Sequence, residues 1–166
     1  MLGEIKIDHE CLIVLKKTLL AVSPEEGCAL LLGEQISLPE SRGSLSQHIR
    51  FIWPCCNVWG NQNFLLHAHV KQITKNPSTK ISKKNRFFLD PREQIRAQQW
   101  ARKKNWFVLG TCHSHLHGPA IPSKTDTEYT YSENLMLILA SNGHLRAWWM
   151  TPNRHFEERT LVIIKH

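Results

Sequence analysis

Cys28–Ala29–Leu30–Leu31–Leu32 is an unbroken apolar run that stops at Gly33. Such a run is far too short to cross a bilayer, which takes about 20 apolar residues. Its compactness and its glycine stop predict a buried strand. Leu135–Ala140 is a second run of the same kind. Helical patterns fall between these strands. From Asp8, an N-cap candidate, the apolar residues Cys11, Leu12, Leu15, Leu19 and Val22 recur at mostly three- and four-residue steps, which predicts an amphipathic helix ending near Ser23-Pro24. Asp90-Pro91-Arg92-Glu93 is a strong start signal, with Asp as N-cap, Pro at the first helical position and Glu at the third, for a helix to about Lys104. A short helix is expected from about Ser123. Further strands are expected at Glu4–Ile7, an edge strand, and at Gln47–Asn57, where Pro54 argues for an edge or an early end. Trp106–Cys112, His144–Thr151 and Glu157–Lys165 complete the set, with Asn142-Gly143 as a tight hairpin turn. Strands interrupted by helices define an α/β class with a mixed sheet.

The 166 residues are the size of one domain, residues 1–166, and no internal repeat divides them. Trp59–Lys84 has no sustained period and becomes polar and basic, so it is expected to be a loop insertion at about 59–84. Met1–Ile7 carries Glu4 and no apolar block, so we expect no signal peptide and a soluble, cytoplasmic protein with no membrane partner. The 21 Lys and Arg against 14 Asp and Glu give +7, which favours acidic partners and leaves nucleic acid open. Much of the excess sits in Lys71–Arg86 and Arg96–Lys104, whose plainest reading is a solvated loop and an outer helix face. Five cysteines without a CxxC pair argue against both a disulfide framework and a cysteine zinc knuckle.

His113-Ser114-His115 follows directly on the strand Trp106–Cys112. In extended chain, residues two apart point to one side, so both imidazoles can face one metal ion, and imidazole suits zinc. Gly118-Pro119 and Pro122 can turn the chain back, so that Asp126 offers a third, anionic ligand. Two imidazoles and a carboxylate leave tetrahedral zinc one open position for water, the arrangement of a catalytic site. Glu26, at the entry to the buried run, is a candidate to take and return the proton of that water. Ser123 is a candidate hydroxyl donor to an oxyanion.

His-Ser-His, seven residues, Ser, two residues, Asp, with an upstream Glu in Pro24-Glu25-Glu26-Gly27-Cys28, resembles the JAB/JAMM (MPN-type) zinc metallopeptidases, bacterial stand-alone type. Asn57 and Arg86-Phe87-Phe88-Leu89-Asp90-Pro91 extend the resemblance, which covers about Glu4 to Lys165 without the insertion. It implies a cytidine-deaminase-like α/β fold, a mixed β-sheet flanked by helices. It also implies one zinc, Zn(2+), on His113, His115 and Asp126 with a catalytic water as fourth ligand, Glu26 as general base and Ser123 as stabiliser of the tetrahedral intermediate. The implied reaction is hydrolysis of an amide bond at the C-terminal tail of a ubiquitin-like protein, of the sulfur-carrier type for bacterial relatives. Leu116 and Ala29 depart from the family's usual Pro and Gly. His117 is an extra histidine in phase with the pair, with the strand expected to break at Gly118-Pro119.

Each feature has a plainer account. Ser123-x-x-Asp126 is a helix capping box that needs no metal. Cys112, out of phase with the histidines, is expected as a buried spacer. His67 and His69 have ligand spacing, but no carboxylate lies near them in sequence. One of Trp148 and Trp149 is expected to face the core and the other the opposite side. A non-catalytic MPN-type scaffold or binding module, and a RadC-like DNA-associated protein, are the alternatives to the hydrolase.

Overall fold

The apolar run opens strand β2 (Cys28–Ser37), and its alternation divides the molecule into two sides. Ala29 and Leu31 pack with Leu15 and Leu19 of helix α1 (His9–Leu20). Cys28, Leu30 and Leu32 pack with Ala97 and Ala101 of helix α2 (Pro91–Lys103). Burial on both sides is the reason the run shows no polar alternation.

The computed structural model describes residues 2–37, 45–60, 82–130 and 133–165. Among them stand three helices, the third being α3 (Lys124–Tyr129), and eight strands. Beside β2 the strands are β1 (Leu2–Asp8), β3 (Leu45–Cys55), β4 (Phe107–His115), β5 (Asn134–Ala140), β6 (Leu145–Met150), β7 (Phe156–Arg159) and β8 (Leu161–Ile164). They form one mixed sheet in the order β7-β6-β5-β4-β2-β3-β1-β8. The pairs β4–β5, β1–β3 and β1–β8 are parallel, and the others are antiparallel. No helix among the described residues is long and apolar enough to cross a membrane.

Two expectations need correction. β1 is not an edge strand, because it pairs with both β3 and β8. The stretch Glu157–Lys165 is two strands, and only Thr160 separates β7, paired to β6, from β8, paired to β1. The two ends of the sheet are therefore joined by one short run, and the sheet curls so that Ile5, Ile7, Leu135, Leu137 and Ala147 all reach one core with Leu15 and Leu19. Asp8 is the N-cap residue of α1, as expected, though its side chain makes no capping bond. Its carboxylate meets His48 Nε2 at 2.6 Å and Arg50 Nε at 3.1 Å instead. Pro54 lies in an inner strand, but beyond Ile49, where the pairing of β3 with β1 ends. Its missing N–H thus costs no ladder bond on that side.

α2 begins as its sequence dictates, with the Asp90 carboxylate accepting from the Arg92 N–H at 2.9 Å. Of the insertion expected at about 59–84, residues 61–81 lie outside the described residues, as do His67, His69 and most of the basic run Lys71–Arg86. Trp148 and Trp149 pack on opposite sides of β6. Trp148 joins Met136, Ile138 and Ala120, and donates its indole N–H to the Ala120 carbonyl at 2.9 Å, while Trp149 packs against the α1 core.

Strand β4 carries the histidines and contains one irregularity that sets their direction. Leu31 pairs with Gly110 but Leu32 with Val108, so Leu109 is an extra residue in the ladder. Leu109 and Cys112 then both join the α1 core although they are three apart. Past this bulge, His113 and His115 emerge on the other side of the sheet. Gly110 lies so close to β5 that a Cβ there would fall 2.0 Å from the Leu135 carbonyl oxygen.

Candidate metal centre

β4 runs on through His115, so both histidines lie inside the strand rather than after it. His113 is fully buried and stacks on Phe87, with ring centroids 4.3 Å apart and planes 24° apart. The His113 and His115 Nε2 atoms face one another at 3.0 Å. The backbone ends its strand at His115, turns through Gly118-Pro119 and enters α3, whose first turn delivers Asp126 to the same point. Asp126 Oδ1 lies 3.4 Å from His113 Nε2, and Oδ2 lies 3.6 Å from His115 Nε2. His113, His115 and Asp126 are the group among the described residues whose ligand atoms gather within 4.8 Å of one another. His117, exposed at the turn, lines the neighbouring cavity but is not in that group.

The capping box is present as well as the ligand cluster. Asp126 Oδ2 accepts the Ser123 N–H at 2.6 Å, and Ser123 Oγ accepts the Asp126 N–H at 3.2 Å. One carboxylate thus starts the helix and faces both imidazoles. Because the Ser123 hydroxyl oxygen accepts here, its O–H is left to donate into the cavity that Ser123 lines. Glu26, His115, Ser123 and Asp126 share that cavity, of about 710 Å³. Cys112 is a buried spacer, its thiol donating to the Ala29 carbonyl at 3.6 Å.

The donor set can be tested against zinc by its chemistry and spacing. Tetrahedral zinc, with bonds of about 2.0–2.1 Å, holds N and O ligands roughly 3.3 Å apart. The three separations here are 3.0, 3.4 and 3.6 Å. His115 Nδ1–H donates to the Pro119 carbonyl at 2.9 Å, which leaves the Nε2 lone pair facing the cluster. The Nδ1 of His113 is buried without a hydrogen-bond partner among the described residues. The residues fit a zinc ion.

Protonation states follow from burial and neighbours. Burial holds His113 neutral, lowering its pKa to about 4 against the pull of Asp126. Burial also opposes charge on Asp126, but His113, His115 and the Ser123 donors outweigh it and keep the carboxyl well below its ordinary range. For His115, burial pulls the pKa down, and Asp126 with the Pro119 carbonyl overcomes it and pulls it up. Burial raises Glu26 to about 7, with Asp126 adding to the rise and His115 and Arg86 opposing it. A neutral imidazole and an ionised carboxylate are what metal binding needs. A carboxyl poised near neutrality is what proton transfer needs.

Two residues that hold this geometry carry no obvious chemical signal. Ser114, between the histidines, points to the α1 side. Its Oγ accepts the Gly27 N–H at 2.9 Å and donates to the Leu19 carbonyl at 3.4 Å, while its own N–H donates to the Gly27 carbonyl at 3.0 Å. The chain approaches so closely that a Cβ on Gly27 would stand 2.3 Å from the Leu19 oxygen. Asn57 gives its Nδ2 to the carbonyls of Glu26 and Arg86, both at 3.0 Å, and its Oδ1 accepts from the Phe88 N–H at 3.2 Å. Ser114 was legible only as the out-of-phase member of His-x-His. Asn57 was legible only through the family resemblance.

A curved mixed sheet of eight strands with three helices is the JAB/MPN fold. Residues 11–151 match the family described as prokaryotic homologs of the JAB domain, and the chain belongs to that family. Among curated proteins it is similar to a desampylase of Pyrococcus furiosus, 29% identical over 110 residues that make up 66% of this chain and 74% of that protein. Among solved structures, a Desulfitobacterium hafniense protein studied in solution superposes with a TM-score of 0.73 at 19% identity, covering 98% of this chain and 94% of that one. A Salinibacter ruber protein gives 0.56 at 22% identity, covering 96% and 91%.

Proposed function

We propose that this JAB-domain protein is a zinc-dependent amide hydrolase acting on the C-terminal tail of a small ubiquitin-like protein. The observation that carries the reading is the convergence of His113, His115 and Asp126 beside the cavity that Glu26 also lines. Zinc held by these three residues would supply a water of lowered pKa and a Lewis acid for the substrate carbonyl. The remaining work belongs to the chain. Glu26 accepts a proton from the attacking water, whose oxygen bonds to the carbonyl carbon. The Ser123 O–H donates to the oxyanion that forms. Glu26 then returns its proton to the amine nitrogen as the C–N bond breaks, leaving a carboxylic acid and a free amine. A cation at the cluster favours the Glu26 carboxylate, the form a base requires.

The substrate class rests on family resemblance and on the likeness to a desampylase, which supports SAMP-like modifier proteins as substrates. Such a tail is extended and narrow enough to enter a cleft, and the chain's charge of +7 suits an acidic protein body. The decisive experiment reconstitutes the protein with zinc and offers it a ubiquitin-like carrier extended past its Gly-Gly terminus. Release of the extension by the parent and none by Glu26→Gln supports the reading. A zinc-loaded parent that leaves every such carrier intact overturns it.

A further inference from the structure

The mechanism above leaves several basic side chains of the cavity without a task. Arg86 lines the cavity, as do Lys84 and His117, and the acids in the same lining are Glu26 and Asp126. Asp126 is engaged by Ser123 and the histidines. The Arg86 guanidinium donates through Nη1 to the Asn85 carbonyl at 2.7 Å, and its Nε is buried with no hydrogen-bond partner among the described residues. The Nε is too enclosed for a ligand to reach, but Nη2 has no hydrogen-bond partner among the described residues, and an open guanidinium nitrogen on a residue at a cavity wall can take an acceptor. The residue is also built into the site. Asn57 holds the Arg86 and Glu26 carbonyls with one amide group, and the next residue, Phe87, stacks on His113. Arg86 is thus placed relative to both the proposed base and a ligand. The charge pattern matters too. A zinc ion at the cluster would offset Glu26 and Asp126, and beside them the Arg86 guanidinium offers an incoming anion a planar fork of N–H donors.

We propose that Arg86 is a specificity-determining residue that receives a carboxylate of the substrate, so that the site favours an amide bearing a free carboxylate near the scissile bond over the same amide with that group capped. The inference rests on the amide-hydrolase reading and names the substrate chemistry within it. Lys84 adds positive potential at the rim without being part of the fork.

The probes are acetyl-Gly-Gly-Ala with a free C-terminal carboxylate and its carboxamide twin. Dissociation constants are measured with zinc-reconstituted parent and Glu26→Gln protein, and kcat/KM is measured with the parent. Binding and turnover are repeated for Arg86→Gln and Arg86→Lys, with thermal melts to confirm that both variants fold. At least a tenfold preference for the carboxylate is expected, in Kd and in kcat/KM. Arg86→Gln should bring the ratio near one, chiefly through KM, and Arg86→Lys should keep part of it. Equal treatment of the two peptides by the parent, or no detectable binding of either, overturns the proposal. So does a ratio unchanged in Arg86→Gln with only a displaced pH profile, which would mean that Arg86 merely tunes Glu26. If both peptides bind and neither is hydrolysed, the hydrolase reading fails while the binding ratio still decides the role of Arg86.

Discussion

Asp8 and Asp126 are both buried carboxylates next to a buried histidine, and their surroundings differ in one respect. Asp8 is closed: its oxygens meet His48 Nε2 at 2.6 Å and Arg50 Nε at 3.1 Å. Asp126 is open: beyond its capping bond to Ser123 it stands 3.4 and 3.6 Å from two imidazole nitrogens, farther than the roughly 2.7–2.9 Å of a charge-assisted bond. Those nitrogens face each other at 3.0 Å, and while the Pro119 carbonyl holds the His115 proton on Nδ1, none of the described residues fixes that of His113. The same residue types therefore make a structural ion cluster where a guanidinium completes the set. They make a candidate cation site where none of the described residues does.

The contrast can be broken by substitution. The largest effect is expected from His113→Ala, which should take bound zinc from about one per chain to almost none, while Asp8→Asn leaves the content unchanged. Elemental analysis of protein purified without a chelating tag reads both, and zinc loss in Asp8→Asn would erase the distinction. Glu26→Gln should keep its zinc and lose turnover by a factor of about 10²–10⁴, the usual worth of a positioned acid–base group. Cleavage at the parent rate would remove Glu26 from the mechanism.

The metal-stripped protein sharpens the comparison through pH. The Glu26 pKa rises from 4.5 unfolded to about 7 folded, so the native state holds its proton longer than the unfolded chain does. Its contribution is favourable to folding below pH 4.5 relative to neutral pH, and is lost as pH rises from there through about 7, a change of about 3 kcal/mol. Urea titrations of stripped parent and stripped Glu26→Gln should diverge over that window, the parent weakening more as pH rises. Parallel curves would mean that burial at Glu26 is not felt. The smallest effect belongs to the closed cluster. His48→Ala leaves the Asp8 carboxylate short of a partner and should cost about 1–3 kcal/mol of stability, with zinc content unchanged.

Much of the candidate metal centre was legible because its information is local. A period of two aims His113 and His115 together, and the Ser123-x-x-Asp126 spacing starts a helix and supplies a carboxylate in the same four residues. The start of α2 at Asp90-Pro91 was legible for the same reason. What escaped depends on contacts between distant segments. The pairing of β8 with β1, which makes β1 an inner strand, leaves no mark in either stretch, since inner and edge strands are equally apolar at this length. Asp8 has the residue type and position of an N-cap, and only the arrival of His48 and Arg50 across the sheet diverts it. The bulge at Leu109 is invisible in the alternation until Leu31 and Leu32 show a skipped partner. Arg86 reads as one more member of a basic run, and its backbone is held at the cavity by a bond from Asn57, 29 residues earlier.

α3 is six residues long, well below the length at which a helix holds itself together in water. Its first turn is closed by the same carboxylate that faces the imidazoles. Fraying of this segment and disassembly of the ligand cluster are therefore a single event. Affinity for an ion held there would then include the free energy of ordering residues 123–130. Amide protons there should exchange with solvent more slowly as the cluster is loaded, and a substitution on the far side of α3 that favours helix should tighten metal binding without touching a ligand.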